Sequence, residues 1–112
     1  MKNLIITLVL LMSIGLSAQE KTNKNAKYNI QVNGNCELCK KRIEKAAFSV
    51  SGVKSATWGI DDHTLHLILN EQKSSVLDVE KAVAKVGHDT DDVKATDEDY
   101  ESLHTCCMYD RK

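Results

Sequence analysis

Strand-like segments dominate the pattern of apolar and polar positions along the chain. Residues 27–32 and 64–69 alternate between the two kinds of side chain, as half-buried strands do. Residues 53–60 indicate another strand, and the polar residues 61–63 between the last two predict a hairpin turn. A weaker and more acidic stretch at residues 90–95 is expected only as an edge strand.

Apolar residues spaced three and four apart predict two helices between these strands. The first follows the first strand and ends before Gly52, a residue type common just past a helix end. The second starts at Ser75, with Asp78 placed to complete a capping box, and ends at Gly87. The residues expected on the buried stripes are Cys39, Ile43, Ala46, Ala47, Phe48, Val50, Val79, Ala82, Val83 and Val86.

The predicted order of elements is strand, helix, strand, strand, helix, strand. With right-handed crossovers, this order gives an α+β, ferredoxin-like βαββαβ sandwich. A four-stranded antiparallel sheet would carry both helices on one face. Beyond it, Thr96 and Asp99 predict the cap of a short C-terminal tail helix, within a cysteine-containing tail at residues 97–112.

The first eighteen residues have the pattern of a secretory signal peptide. Lys2 precedes an apolar run of about thirteen residues, which is short of the roughly 20 that a membrane-spanning helix needs. A retained anchor is the alternative. We expect cleavage after residue 18, no membrane insertion and an exported protein, periplasmic or secreted. A flexible leader at residues 19–26 would then precede a folded domain at residues 27–96.

The composition limits the classes of partner that the chain can have, and predicted export determines the redox environment of its cysteines. The chain has 15 basic and 16 acidic residues and few aromatic ones, so a nucleic-acid partner is not expected. Export would place four cysteines where disulfides can form. A small domain with an even number of cysteines is therefore compatible with disulfide bonds as well as with metal binding.

Cys36 and Cys39 carry the strongest chemical signal. They lie where the first strand gives way to the first helix, and a helix start offers free N–H groups that favour thiolates. Lys40, Lys41 and Arg42 follow directly, and we interpret them as thiolate-tuning or partner-docking residues, with a solvated helix face as the alternative. Metal binding, redox chemistry and a structural disulfide all remain open for this pair.

Further residues around this pair form a more specific pattern. They are Gly34, Cys36, Cys39, Ile43, Glu44, Gly52, Val53 and the run Val86-Gly87-His88-Asp89. With these residues the chain resembles the heavy-metal-associated domains of copper chaperones, metal-transporting ATPases and mercury-binding periplasmic proteins. The run Gly34-Asn35-Cys36 lacks a methionine that usually packs beneath the family's metal loop, which bears on the geometry of the loop.

The resemblance implies a function. Cys36 and Cys39 would bind a soft metal ion, Cu(I) first, with Hg(II), Zn(II) and Cd(II) as alternatives. The role would be carriage, transfer or detoxification in the cell envelope, without enzymatic activity. The implied partner is a metal-transporting or metal-efflux protein with cysteine ligands. We expect a monomer, with a metal-bridged dimer as the alternative.

The adjacent cysteines of the tail, Cys106 and Cys107, are open to three interpretations. The predicted fourth strand runs away from the loop of Cys36 and Cys39 over about 20 Å, at 3.3 Å per residue. A tail helix that follows this strand runs back toward the loop over about 15 Å, at 1.5 Å per residue. The tail therefore brings them near the loop of Cys36 and Cys39. They would complete a three- or four-sulfur site, cap the loop by a disulfide, or staple the tail. His88 is an additional candidate ligand.

Two other functions compete with metal carriage. Cys-x-x-Cys at a helix start is also the arrangement of thiol–disulfide oxidoreductases. The chain contains no proline, however, so it lacks the cis-proline of thioredoxin-like sites, and about 70 residues are short for that fold. A disulfide-stapled interaction module is the second competitor, and it differs from a metal site in having no free thiols.

Overall fold

The computed structural model describes residues 23–111. The predicted signal peptide and residues 19–22 of the predicted leader lie outside the described residues. Within the described part, no helix combines the length and the apolar character needed to cross a membrane.

Three strands, two longer helices and a short helical tail make up this part of the chain. In chain order the elements are β1 (Ala26–Gln31), α1 (Glu37–Phe48), β2 (Val53–Trp58), β3 (Thr64–Leu69), α2 (Val76–Lys85), α3 (Asp97–Glu101) and a 3₁₀ turn (Thr105–Cys107). The central strand β3 pairs antiparallel with both β1 and β2. The predicted α+β, ferredoxin-like class is confirmed.

The predicted fourth strand at residues 90–95 is reduced to a single bridge between Val32 and Thr90, so the described sheet has three strands. Side chains take the backbone N–H groups that a strand would need. The buried Glu80 carboxylate accepts from the Asp92 N–H at 3.0 Å, and the Asp89 carboxylate accepts from the Ala95 N–H at 2.7 Å. A turn replaces the edge strand because its donors are already satisfied.

The core lies between the sheet and the two longer helices, and most of the predicted stripes are buried there. Two positions differ from the prediction. Phe48, at the last turn of α1, is 52% exposed. On α2, Glu80 is buried in place of Ala82, because its carboxylate holds the turn after residue 90. As predicted, Ser75 and Asp78 form a capping box at the start of this helix.

The tail packs against the same core. Thr96 caps α3 through the Asp99 N–H, as the sequence predicts. Leu103, Cys107 and Tyr109 all belong to the core cluster. Gly87 makes this packing possible: it has a φ of +104°, and a side chain there would lie 2.8 Å from Leu103 and from the backbone of α3.

Candidate metal centre

The loop that precedes α1 is fixed from both sides. The Val32 N–H donates to the His63 carbonyl, and the Asn33 N–H donates to the Asp89 carbonyl, each at 2.9 Å. The Asn33 carbonyl in turn lies 2.7 Å from Nδ1 of the buried His88, so this ring nitrogen carries the proton and donates. The loop therefore rests on the hairpin turn and on the segment after α2, the three parts that meet at one end of the sheet.

Trp58 fills the space beneath this loop. Its ring is fully buried, and its indole N–H donates to the Val32 carbonyl at 3.0 Å. A Cβ on Gly34 would lie 3.0 Å from the ring, so only glycine allows the loop to approach so closely. A tryptophan thus provides apolar support under a loop that lacks methionine.

Cys36 and Cys39 occupy the start of α1, as predicted. Cys36 is the N-cap residue, in an extended conformation, and is half-buried. Cys39 lies in the first turn with its side chain fully buried, and the Asn35 N–H donates to its sulfur at 3.4 Å. The sulfur atoms of the two residues are 3.5 Å apart. One sulfur is thus accessible from outside while the other is held by the core.

The tail cysteines lie at the same place. The Cys36 sulfur is 3.4 Å from the sulfur of Cys106 and 3.5 Å from that of Cys107. The sulfurs of Cys36, Cys106 and Cys107 all lie within 4.8 Å of one another. None of these distances approaches the roughly 2.05 Å of a disulfide, and all four cysteines carry free thiols. Three other sulfurs thus lie around that of Cys36.

This cluster makes the Cys36 thiol unusually acidic. Burial raises its pKa, but the nearby backbone N–H of Cys39 and the thiols of Cys106, Cys39 and Cys107 outweigh burial and lower the pKa to about 7. The pKa of Cys106 is raised, mainly by its side-chain hydrogen bond with Cys36. Burial raises the pKa of Cys107, and its contacts with Cys39 and Cys36 add to this effect. Of these three thiols, that of Cys36 therefore ionises most readily near neutral pH.

Aromatic and ionic contacts hold the tail in position. The Tyr109 hydroxyl accepts from the Asp89 N–H and donates to the Gly87 carbonyl, both at 2.8 Å. The Arg111 guanidinium makes two contacts of 2.9 Å with the Asp89 carboxylate and donates to the Ala95 carbonyl. These contacts connect the residues around Cys106 and Cys107 to the segment that also supports the metal loop.

His88 and the basic residues are placed less directly at the sulfurs. His88 stacks on Tyr109 and supports the loop through Asn33, and burial lowers its pKa, so the ring is neutral. Within residues 23–111, it does not belong to the group of close candidate ligands.

Lys40 is held by Glu44 at 2.6 Å and by the Trp58 carbonyl at 2.9 Å. Its charge is therefore partly neutralised.

Lys41 and Arg42 face a groove between α1, the end of α2 and the tail. Leu38, Lys45 and His104 complete its basic and apolar lining. The Arg42 Nε is buried and has no hydrogen-bond partner in the described part of the chain. Because Leu38 lies between the two loop cysteines, the groove begins beside Cys36 and Cys39.

Sequence reasoning identified the four cysteines but missed the residues that bring them together. The role of Trp58 beneath the loop depends on its close approach to Gly34, a residue 24 positions earlier, which no local pattern indicates. Asp89 was noted only as part of a motif, and its pairing with Arg111 spans 22 positions. The signal available in the sequence was the tail's Cys-Cys-x-Tyr run, in which the tyrosine has a buried hydroxyl.

Solved structures of metal-binding proteins share this fold. The N-terminal domain of a potential copper-translocating P-type ATPase from Bacillus subtilis, in the Cu(I)-loaded state, is 30% identical, with a TM-score of 0.56, over 59% of this chain and 84% of that one. A CopZ metallochaperone is 24% identical, with a TM-score of 0.56, over 58% of this chain and 98% of that one.

A third solved structure gives a similar result. Oxidised MerP from Ralstonia metallidurans CH34 is 22% identical, with a TM-score of 0.51, over 58% of this chain and 94% of that one. Comparison with protein-family models gave no match, and a search of curated proteins gave none either.

Proposed function

The chain belongs to the heavy-metal-associated domain family, and on this premise we propose that it binds and carries a soft metal ion, Cu(I) first, through Cys36 and Cys39. The observation that carries the proposal is the pair of free sulfurs 3.5 Å apart at the start of α1. Thiolates are the ligands that thiophilic metals prefer over hard cations. Hg(II), Zn(II) and Cd(II) are the alternative cargoes.

Each part of the loop has a task in this proposal. Cys36, with a pKa of about 7, supplies a thiolate at neutral pH by releasing its proton to solvent. Cys39, fixed in the core, keeps the ion at the protein while Cys36 faces the outside. An incoming cysteine thiolate would bind the ion before a resident sulfur leaves, so transfer passes through a three-sulfur intermediate and involves no change of oxidation state.

The groove beside the loop supports a docking role for α1. Lys41 and Arg42 present positive charge there, whereas Lys40 is engaged with Glu44. A metal-transporting or metal-efflux protein with cysteine ligands and an acidic surface is the partner that this chemistry suits. We place this exchange in the cell envelope, on the basis of the signal-like residues 1–18.

A competition titration tests the proposal. The reduced, anaerobic full chain is titrated with Cu(I) and, separately, with Zn(II) against chromophoric chelators. We expect one Cu(I) per chain, tighter binding of Cu(I) than of Zn(II), and a large loss of Cu(I) affinity in the Cys39→Ala variant. Equal retention of Cu(I) by this variant and the wild type would overturn the proposal. Rapid turnover in an insulin-reduction assay would instead favour the oxidoreductase.

A further inference from the structure

The sulfur cluster contains more donors than the loop provides. We propose that the tail supplies Cys106 and Cys107 as further ligands, so that the ion is held by three or four sulfurs arranged around Cys36. This inference rests on the proposed function, since it extends the same soft-metal site. It assigns a binding role to the C-terminal tail, which is a separate segment from the Cys-x-x-Cys loop.

The spacing of the sulfurs favours a site with more than two of them. With metal–sulfur distances of about 2.3 Å, linear two-sulfur coordination separates the donors by about 4.6 Å, trigonal coordination by about 4.0 Å and tetrahedral coordination by about 3.8 Å. Cys36 and Cys39 are 3.5 Å apart, and so are Cys36 and Cys107. In either pair, the distance between the two sulfurs therefore needs to increase by about 1.1 Å for a linear site, but by only about 0.3 Å for a tetrahedral one.

The tail cysteines are built into the fold at this position. Cys107 is fully buried, and its neighbours Leu103 and Tyr109 are core residues. The 3₁₀ turn that carries both tail cysteines contacts the start of α1 at Cys36. Because the protein already bears the entropic cost of ordering the tail when it folds, binding an ion there requires little further ordering.

The two tail sulfurs differ in their access to solvent. Cys106 is exposed and Cys107 is buried. An incoming thiolate would therefore displace Cys106 first, while Cys36, Cys39 and Cys107 keep the ion. The exchange forms one metal–sulfur bond and breaks another, and the departing thiolate takes up a proton from solvent. A protein of this kind retains its cargo until a cysteine-bearing partner competes for it.

Variants of the tail test this inference on the full chain. The double variant Cys106→Ser, Cys107→Ala removes both tail sulfurs, and Cys106→Ser alone changes only an exposed side chain. Thr105→Ala is the matched control, because it alters the same turn without removing sulfur. Each protein is loaded with one Cu(I) under anaerobic conditions without added thiol. X-ray absorption then counts the sulfurs on copper, and chelator competition gives the affinity.

We expect three or four sulfurs on copper in the wild type and in Thr105→Ala, and two in the double variant. The affinity should fall by at least about tenfold in the double variant, which is the low end of what even outer-shell partners contribute to a metal site. An unchanged sulfur count and affinity in the double variant would overturn the inference. If that variant does not fold, the double variant Cys106→Ser, Cys107→Ser, with an oxygen in place of each sulfur, decides by the same criteria.

The test separates this inference from the proposed function. Tight Cu(I) binding that depends on Cys39 but not on the tail sulfurs would remove the tail from the site and leave the loop as the metal centre. Binding that survives in Cys39→Ala but is lost in the tail variant would contradict the proposed loop site instead.

Discussion

The ion pair between Asp89 and Arg111 should be the strongest polar anchor of the tail, and Arg111→Ala removes it. Asp89 is 4% exposed, and its carboxylate receives two contacts of 2.9 Å from the guanidinium. Breaking a buried pair by removal of one partner costs about 3–5 kcal/mol. The Arg111 side chain is 23% exposed and the Ala95 N–H still binds Asp89, so we expect a loss of about 2–3 kcal/mol at pH 7.

This loss should depend on pH in a defined direction. Burial raises the pKa of Asp89, but the Arg111 guanidinium and the Ala95 N–H outweigh burial and hold the pKa below its ordinary value. A carboxylate whose pKa is depressed in the folded state stabilises the fold above its unfolded pKa of about 3.9. The contribution disappears as the pH falls through the folded-state pKa. The difference between Arg111→Ala and the wild type should therefore shrink below pH 4.

Urea unfolding of the reduced protein, followed by circular dichroism, measures the effect. Arg111→Lys keeps the charge without the two parallel contacts, so it should lose less stability than Arg111→Ala. Adding Asp89→Asn to Arg111→Ala removes the unpaired charge and should recover part of the loss. A loss below about 0.5 kcal/mol, the level of ordinary surface substitutions, or a loss independent of pH would refute this view of the tail.

Three other predictions concern separate parts of the molecule. Gly87→Ala should lower stability by about 2 kcal/mol in a thermal melt, because φ is +104° and the new methyl would meet Leu103 and the backbone of α3; an unchanged melting temperature would contradict this packing. Site-resolved alkylation of Cys36 should reach half its maximal rate near pH 7, and the midpoint should rise in Cys106→Ala because a thiol that stabilises the thiolate is lost. Ser75→Ala should cost about 1 kcal/mol in urea unfolding by removing the N-cap of α2, and a cost near zero would argue against the capping box.

Local patterns in the sequence were sufficient for most elements of the fold. The bounds of β3 agree with the alternation at residues 64–69, because a two-residue period specifies which side chains face the core. The capping box at Ser75 needs only residues three positions apart, and the structure contains it. The Cys36 position at the start of α1 was likewise clear from the change of period.

The features that escaped prediction depend on contacts between distant segments. The stretch at residues 90–95 alternates weakly, but Glu80, twelve residues before Asp92, accepts from the Asp92 N–H and helps to make the stretch a turn. Phe48 belongs to a helical stripe by spacing, yet at the last position of α1 it remains exposed. The length of the tail suggested that Cys106 would approach the loop, whereas the anchor that holds it there, Arg111 on Asp89, has no local signature.

The Cu(I) affinity of Cys36→Ser tests the central claim most directly, because the Cys36 sulfur lies within 3.5 Å of each of the other three cysteine sulfurs. Serine is a favoured N-cap residue, so this variant should keep α1 intact. In competition with a chromophoric chelator, we expect the variant to lose Cu(I) at concentrations where the wild type holds one ion per chain, an affinity loss of about 100-fold or more. Equal occupancy in the two proteins would contradict the account.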